Sequence, residues 1–382
     1  MFNKRFLRRR FLFVFAALFL LGLCTILLQR SLAFSDAFDS ARSGDWKRCV
    51  SREFRGFPPL SEYESTGRRR PVIVLAWDPL EDFLFVGADA VRQCSVPCLF
   101  VAAVRDDVRD CLAQADAVVF NPPTTLVKKY RPRWSFAHQS NVLFLTESEA
   151  IWGALPDLMR DTQSNISLSY RLDADVPMTY FIGLEQYVDR TYFSPVKRAT
   201  APVVMFISNC ESQWVKSARG RFIQELMQYI EVHSYGKCFN NRQVPAELSG
   251  KPWWEIKWNI TSQYRFTLAF ENSIARDYVT EKLYHALVVG SVPVYWGAPN
   301  VERFLPAPNA AIRVDDFSSA HELAQHLHYL LDHEDEYDLL LSWKRSGVLA
   351  DSFRALQSTS PRSAPCRLCE SVAKRQGRAH SG

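Results

Sequence analysis

The chain has 382 residues, 47% of them hydrophobic and 13% aromatic, with a formal net charge of +5. That length exceeds one compact core and points to two globular domains, while the apolar content excludes a disordered polypeptide. Lys and Arg are interleaved with Asp and Glu beyond the first ten residues, so the mild excess of positive charge argues against nucleic-acid binding.

Lys4, Arg5, Arg8, Arg9 and Arg10 precede an uncharged run, Phe11–Leu28. As a helix this run would measure roughly 27 Å, enough to cross a thin bilayer. Positive charge stays on the cytoplasmic side, so the segment is expected to be a signal-anchor with everything after Arg30 in the lumen. A cleaved signal peptide is the rival, because Ser31-Leu32-Ala33 resembles a cleavage site; either reading routes the chain through the secretory pathway. The sequence therefore divides into a cytoplasmic tail (1–10), a transmembrane span (11–28), a polar stem (29–67), and globular regions at 68–198 and 199–355. A C-terminal tail with a CxxC follows at 356–382.

Val72–Trp77, Ala117–Phe120 and Val142–Leu145 are short, continuous apolar runs, the pattern of strands buried on both faces of a parallel sheet. Asn165-Ile166-Ser167 and Asn259-Ile260-Thr261 are glycosylation acceptors at Asn165 and Asn259. Asp173-Ala174-Asp175 has the spacing of a metal-binding D-x-D. Pro195–Pro202 reads as a linker. Beyond it Val203–Ile207, Glu231–Tyr235, Phe266–Phe270 and Val292–Trp296 are expected strands. Ala218–Ile230 and Tyr278–Val289 are expected helices, the second ended by Gly290. Strand–helix–strand alternation implies α/β domains with doubly wound sheets.

Nine cysteines are present, eight of them beyond Cys24 in the apolar run, an even number suited to disulfides in an oxidising lumen. Cys366-Arg367-Leu368-Cys369 has no second pair and no nearby His cluster, which argues against zinc and for a short-range structural disulfide. Cys210 and Cys238 flank a helix–strand unit and form a second disulfide candidate. His233, His285, His321, His326 and His328 show no ligand spacing.

The densest polar stretch is Phe270-Glu271-Asn272-Ser273 followed by Asp277-Tyr278-Val279-Thr280-Glu281-Lys282, between a strand end and a helix start. Ligands of open α/β sheets bind there, often with phosphate at a helix N-terminus. The plainer alternative is that Asp277 and Glu281 complement the helix dipole and Asn272 caps a turn. Spacing alone does not name a ligand.

The string YRFTLAFENSIARDYVTEKLYHALVVGSVPVYWGAPNVERFLP resembles the donor signature of the α1,3-fucosyltransferases (glycosyltransferase family 10), FENS…DYITEK…ALxxGxVPVVxG. The segments Ile207–Cys238, Val314–Leu327 and Cys366–Cys369 resemble neighbouring blocks of that family; upstream the likeness thins to Ala115–Phe120, Thr146–Ser148 and Ile166–Phe181. The resemblance implies a GT-B fold of two Rossmann-like domains facing a cleft. It further implies an inverting transfer of L-fucose from GDP-fucose, with no obligatory metal, to a glycan or glycoprotein acceptor at the Golgi membrane, an α1,3 linkage to GlcNAc being the expected product. By motif position Arg219 and Lys282 match diphosphate-contacting residues, Glu281 the carboxylate on the ribose, and Asn272 and Tyr278 further donor-site residues. The family's E-S-P motif after a strand implies Glu147 as general base. Here Glu149 stands where that motif has Pro, which makes Glu149 the alternate. Asp173 and Asp175 fall in a block resembling SYRxDSD, which implies a structural or donor-flanking role in place of a metal.

Two other functions compete. One is a non-catalytic, fucosyltransferase-like lumenal protein that binds a glycan or a client, and the other a fucosyltransferase acting on a protein hydroxyl. Intact Arg219, Glu281 and Lys282 argue for an enzyme.

Overall fold

The computed structural model describes residues 71–76, 94–102, 115–121, 137–189, 191–193, 197, 200–210 and 218–377. The expected tail, transmembrane span and stem, and half of the Pro195–Pro202 linker, lie outside them.

Eleven strands form two sheets among the described residues, and every pairing is parallel. The first holds β1 (Val72–Ala76), β2 (Cys98–Ala102), β3 (Ala117–Phe120), β4 (Ser140–Leu145), β5 (Ile166–Ser169) and β6 (Val176–Pro177), in the order β2-β1-β3-β4-β5-β6. The second holds β7 (Val203–Met205), β8 (Val232–Ser234), β9 (Phe266–Phe270), β10 (Val292–Trp296) and β11 (Ile312–Arg313), in the order β8-β7-β9-β10-β11. The two orders are the same pattern, second-first-third-fourth-fifth, so each sheet reverses direction between its first and third strands.

The apolar runs explain the strands. β1, β3 and β9 are buried at every residue, as strands covered on both faces must be. Expected and observed strands coincide at Ala117–Phe120, Phe266–Phe270 and Val292–Trp296 and agree within two residues elsewhere; β2, β5, β6 and β11 are additional.

Seven helices matter to the site or its support: α1 (Glu149–Trp152), α2 (Leu155–Thr162), α3 (Leu184–Val188), α4 (Arg219–Leu226), α5 (Trp253–Thr261), α6 (Glu281–Val289) and α7 (Ala320–Asp332). α6 starts three residues later than the expected Tyr278. Asp277 takes a left-handed φ of 62°, and Thr280 caps the helix from an extended conformation, so Tyr278 and Val279 precede it as irregular chain. Gly290 ends α6 at φ 64°, and a Cβ there would run into the Phe193 ring.

The second sheet packs on α4 and α7 through Ile223, Leu226, Leu323 and Leu327, and on its other face against α6 and Trp258 of α5. The C-terminal segment differs from the expected tail. Its helix, Ala364–Arg375, buries Leu368, Cys369 and Val372 in the core of the first sheet, so the chain returns to that sheet after completing the second. The expected short-range Cys366–Cys369 disulfide is absent: Cys366 pairs with Cys94 and Cys369 with Cys98, across 272 and 271 residues. A helix holds the two CxxC side chains one turn apart and pointing the same way, towards the segment entering β2. Cys210 and Cys238 are bonded to each other, as expected.

Candidate active site

The reversal between β7 and β9 opens a crevice at the C-terminal edge of the second sheet, the usual ligand position in such sheets. Arg219, first residue of α4, spans it. Its Nε and Nη2 donate to the Asn209 carbonyl beyond β7, and Nη1 donates to the Phe270 carbonyl at the end of β9, 2.9 Å away. The residue is buried, at 3% exposure. The structure thus sets Arg219 in the floor of the crevice with most of its N–H groups committed to backbone.

Past β9, Glu271 is fully buried. One carboxylate oxygen accepts the Thr280 amide at 2.7 Å and the other the Thr280 hydroxyl at 2.8 Å, which pulls the start of α6 against the strand end. Lys282 lies 3.3 Å from Glu271 and 3.4 Å from Glu281, and its ammonium donates to the Thr280 hydroxyl at 2.8 Å. Burial alone would lower the Lys282 pKa, but the two carboxylates outweigh it and hold the value above its ordinary one. Lys282 therefore presents a fixed positive charge at the N-terminus of α6, where the helix dipole adds to it.

Glu281 is enclosed by protein on most sides, yet 36% of its side chain stays open, as expected for a group lining a recess. Burial opposes its ionisation, but Lys282, Lys257 and His285 overcome this and draw its pKa down to about 2. Lys257, from α5, has its ammonium 5.8 Å from the Phe206 ring centre and 5.7 Å from that of Trp253, a cation–π arrangement. Phe206 stacks on Tyr235 at 5.3 Å. Burial, then the nearby Lys257 ammonium, lowers the His285 pKa to about 4 against the pull of Glu281. Its Nδ1 is buried without a hydrogen-bond partner. One recess thus joins a cationic helix start to a half-open carboxylate and a cluster of aromatic rings.

The first sheet contributes from the opposite side. β4 ends at Leu145, and Glu147 follows two residues later. Its Oε2 accepts from the Tyr278 hydroxyl at 3.1 Å and from Asn272 Nδ2 at 3.4 Å. A carboxylate from one sheet therefore meets two residues of the polar stretch of the other. Burial raises the Tyr278 pKa far above its ordinary value, with Tyr180 and Glu147 adding to the effect, so its hydroxyl remains a proton donor to Glu147. Tyr180 donates to the Thr146 carbonyl at 2.9 Å and fixes the preceding residue.

Glu149 faces elsewhere. It opens α1, capped by Ser148, and its carboxylate accepts from Arg171 Nη1 at 3.0 Å. Of the two candidate bases the structure thus brings Glu147, and not Glu149, against Asn272 and Tyr278. The D-x-D carboxylates diverge: Asp173 binds the Arg171 guanidinium, while Asp175 accepts the Ser167 amide and hydroxyl at 2.8 Å each. Among the described residues no group of three or more His, Cys, Asp and Glu is arranged to hold a metal ion. Of the two sequons, Asn165 is exposed ahead of β5, whereas Asn259 is half-buried in α5 with Nδ2 donating to the Glu255 carbonyl, so the folded surface presents Asn165.

The sequence assigns no role to five further residues of the site: Glu271, Tyr180, Arg171, Lys257 and His285. Only Glu271 carried a signal, a carboxylate directly abutting a wholly apolar strand.

Comparison with known proteins gives the geometry a context. Residues 196–381 match the family described as glycosyltransferase family 10 (fucosyltransferase) C-term. The chain is 35% identical over 201 residues to the GDP-fucose protein O-fucosyltransferase 3 of Canis lupus familiaris, covering 50% of this chain and 41% of that protein. The protein of the same name from Xenopus tropicalis is 31% identical over 293 residues, 72% of this chain and 58% of its own length. The matched part thus spans 41% and 58% of these two curated relatives. In fold, the chain is similar to the crystal structure of an alpha1,3-fucosyltransferase with GDP. The TM-score is 0.52 at 16% identity, over 85% of this chain and 94% of that one.

Proposed function

We propose, from the premise that this chain belongs to glycosyltransferase family 10, the fucosyltransferases, that it transfers L-fucose from GDP-fucose to a protein hydroxyl. The observation that carries the reading is the contact of Glu147 with Asn272 and Tyr278, which sets a carboxylate from one sheet against the donor motif of the other.

In this reading the diphosphate lies at the start of α6 against Lys282, with Arg219 adding positive charge from the crevice floor. Glu281, ionised at neutral pH, accepts hydrogen bonds from the ribose hydroxyls, and the rings of Phe206, Tyr235 and Trp253 give the base an apolar platform. Asn272 and Tyr278 hold Glu147 Oε2, which leaves Oε1 to take the acceptor proton. The acceptor oxygen then bonds to the fucose anomeric carbon as the bond from that carbon to the β-phosphate oxygen breaks. GDP departs with its new charge stabilised by Lys282, and attack from the opposite face inverts the anomeric configuration.

A protein hydroxyl is preferred to GlcNAc because the curated relatives are named protein O-fucosyltransferases, whereas the α1,3-fucosyltransferase likeness is one of fold. The Golgi lumen is the proposed compartment. Three disulfides among the described residues support an oxidising location, and the apolar run Phe11–Leu28 is the proposed anchor of a single-pass type II protein.

The test is to supply the purified chain with GDP-fucose and two acceptor sets, folded disulfide-bonded protein domains and GlcNAc-terminated glycans. Mass spectrometry of the products then locates the added fucose. Fucose on Ser or Thr supports the proposal, and fucose only on GlcNAc replaces the acceptor. Absence of both GDP binding and GDP release overturns the enzyme reading.

A further inference from the structure

Three consecutive residues, Tyr170, Arg171 and Leu172, touch both sides of the candidate site. The Tyr170 hydroxyl accepts the Glu149 amide at 3.0 Å at the start of α1, and its ring lies edge-on to Tyr278 at 5.1 Å. The Leu172 amide donates to Asp277 Oδ2 at 3.2 Å. Between them, Arg171 donates to Glu149 at 3.0 Å and to both oxygens of Asp173, with Nε 3.8 Å from Asp277.

These contacts close a circuit. Glu147 and Glu149 sit on one short turn, Arg171 joins Glu149 to Asp277, Asp277 precedes Tyr278, and Tyr278 returns to Glu147 through its hydroxyl. Both ends are stiff. Asp277 is buried in the left-handed region, with its amide and Oδ1 bound to the side chain of Asn300. Arg171 keeps only 19% of its side chain exposed, so its ion pairs are less screened than surface ones. Without the guanidinium, Glu149 would lose this cation, and Asp173 and Asp277 would be left with the more exposed Arg276, whose Nε lies 3.9 Å from Asp277.

We propose that Arg171 is a positioning residue that sets the reach of Glu147 to the donor by tying the start of α1 to the loop before Tyr278. The role rests on Glu147 being the base of the proposed transfer. A proton acceptor must lie within hydrogen-bond distance of the attacking hydroxyl, and a displacement of about 1 Å costs roughly 100-fold in rate. The proposed diphosphate and ribose contacts of Arg219, Lys282 and Glu281 lie on α4 and α6, outside the circuit, and of the donor-site candidates only Tyr278 belongs to it, so donor binding should feel its loss far less than transfer does.

The experiment compares the wild-type chain with Arg171→Gln and Arg171→Lys. Amide hydrogen exchange should rise in Arg171→Gln at both 148–152 and 277–280 while β4 and β9 stay protected. GDP-fucose affinity should change by less than about threefold, while kcat for transfer falls about 100-fold. Arg171→Lys should recover only part of the loss, because one ammonium does not reproduce a fork that serves three carboxylates. Adding Glu149→Gln to Arg171→Gln should cost little more, since both changes cut the same link. Unchanged kcat, a loss of donor affinity as large as the loss of kcat, or exchange that rises at one segment alone would each overturn the proposal. A wild-type chain that neither binds GDP nor releases it sinks the transferase reading instead, and the exchange at the two segments then judges the tie by itself.

Discussion

β4 and β9 each deliver a glutamate just past the C-terminal edge of a parallel sheet, and the two glutamates have opposite fates. Glu271, directly after β9, is fully buried, with the Thr280 amide and hydroxyl on its two oxygens and Lys282 alongside. Glu147, two residues after β4, is half-buried, and its donors come from the other sheet. A carboxylate saturated by its own sheet can only hold structure. One whose partners stand across a gap is available to a third molecule entering that gap. Position at a sheet edge therefore marks both, and only the provenance of the hydrogen bonds separates scaffold from chemistry.

The largest effect should come from Glu147→Gln. Removing a general base costs about 100- to 10,000-fold in kcat. Donor affinity and thermal stability should hardly change, because the amide still accepts from Tyr278. Steady-state transfer rates beside calorimetric GDP-fucose binding would check this. Retained activity would move Glu147 to the structural side of the comparison.

Glu271→Gln should reverse the pattern. The amide cannot accept from Thr280 through both atoms as the carboxylate does, and Lys282 loses a buried counter-charge. Truncating one member of a buried pair costs about 3–5 kcal/mol, lessened here because Glu281 remains beside Lys282. A fall of about 2–3 kcal/mol in unfolding free energy is expected, read by denaturant titration. A variant of wild-type stability that has lost transfer would instead make Glu271 part of the chemistry.

The second sheet was the more legible of the two because its site is local. Glu271, Asn272, Tyr278, Glu281 and Lys282 fall within twelve residues between a fully apolar strand and a helix, so polarity, periodicity and motif fall on one stretch. The first sheet's share depends on distant partners. That Glu147 and not Glu149 faces the donor motif follows from Arg171, twenty-two residues on, drawing Glu149 away. The Cys94–Cys366 and Cys98–Cys369 pairs join residues some 270 positions apart, and disulfide connectivity is not encoded in spacing. α6 starts later than its apolar pattern predicts for a related reason. Tyr278 and Val279 fit a helical repeat, but Asp277 turns left-handed where Asn300 and Leu172 hold it, contacts that no local pattern contains.

The smallest predicted effect concerns His285, one turn along α6 from Glu281. Burial, reinforced by Lys257 and Lys282 and opposed by Glu281, keeps its pKa at about 4, below the ordinary value near 6.5. In the unfolded chain the ring takes up a proton as pH falls through about 6.5; in the folded chain it does so only near 4. Between those values the unfolded state binds more protons, so this contribution to stability is complete above about 6.5 and declines as pH falls towards 4. Chemical denaturation at pH 7 and pH 5 should show a loss of about 1–2 kcal/mol that His285→Gln removes. GDP should shrink the same loss, because a diphosphate against Lys282 offsets part of the positive charge that keeps the proton off the ring. If His285→Gln leaves the slope unchanged, the ring is merely core. If the slope vanishes in the variant but ignores GDP, then His285 titrates with folding while lying outside the donor recess, and the boundary of that recess falls between Glu281 and His285.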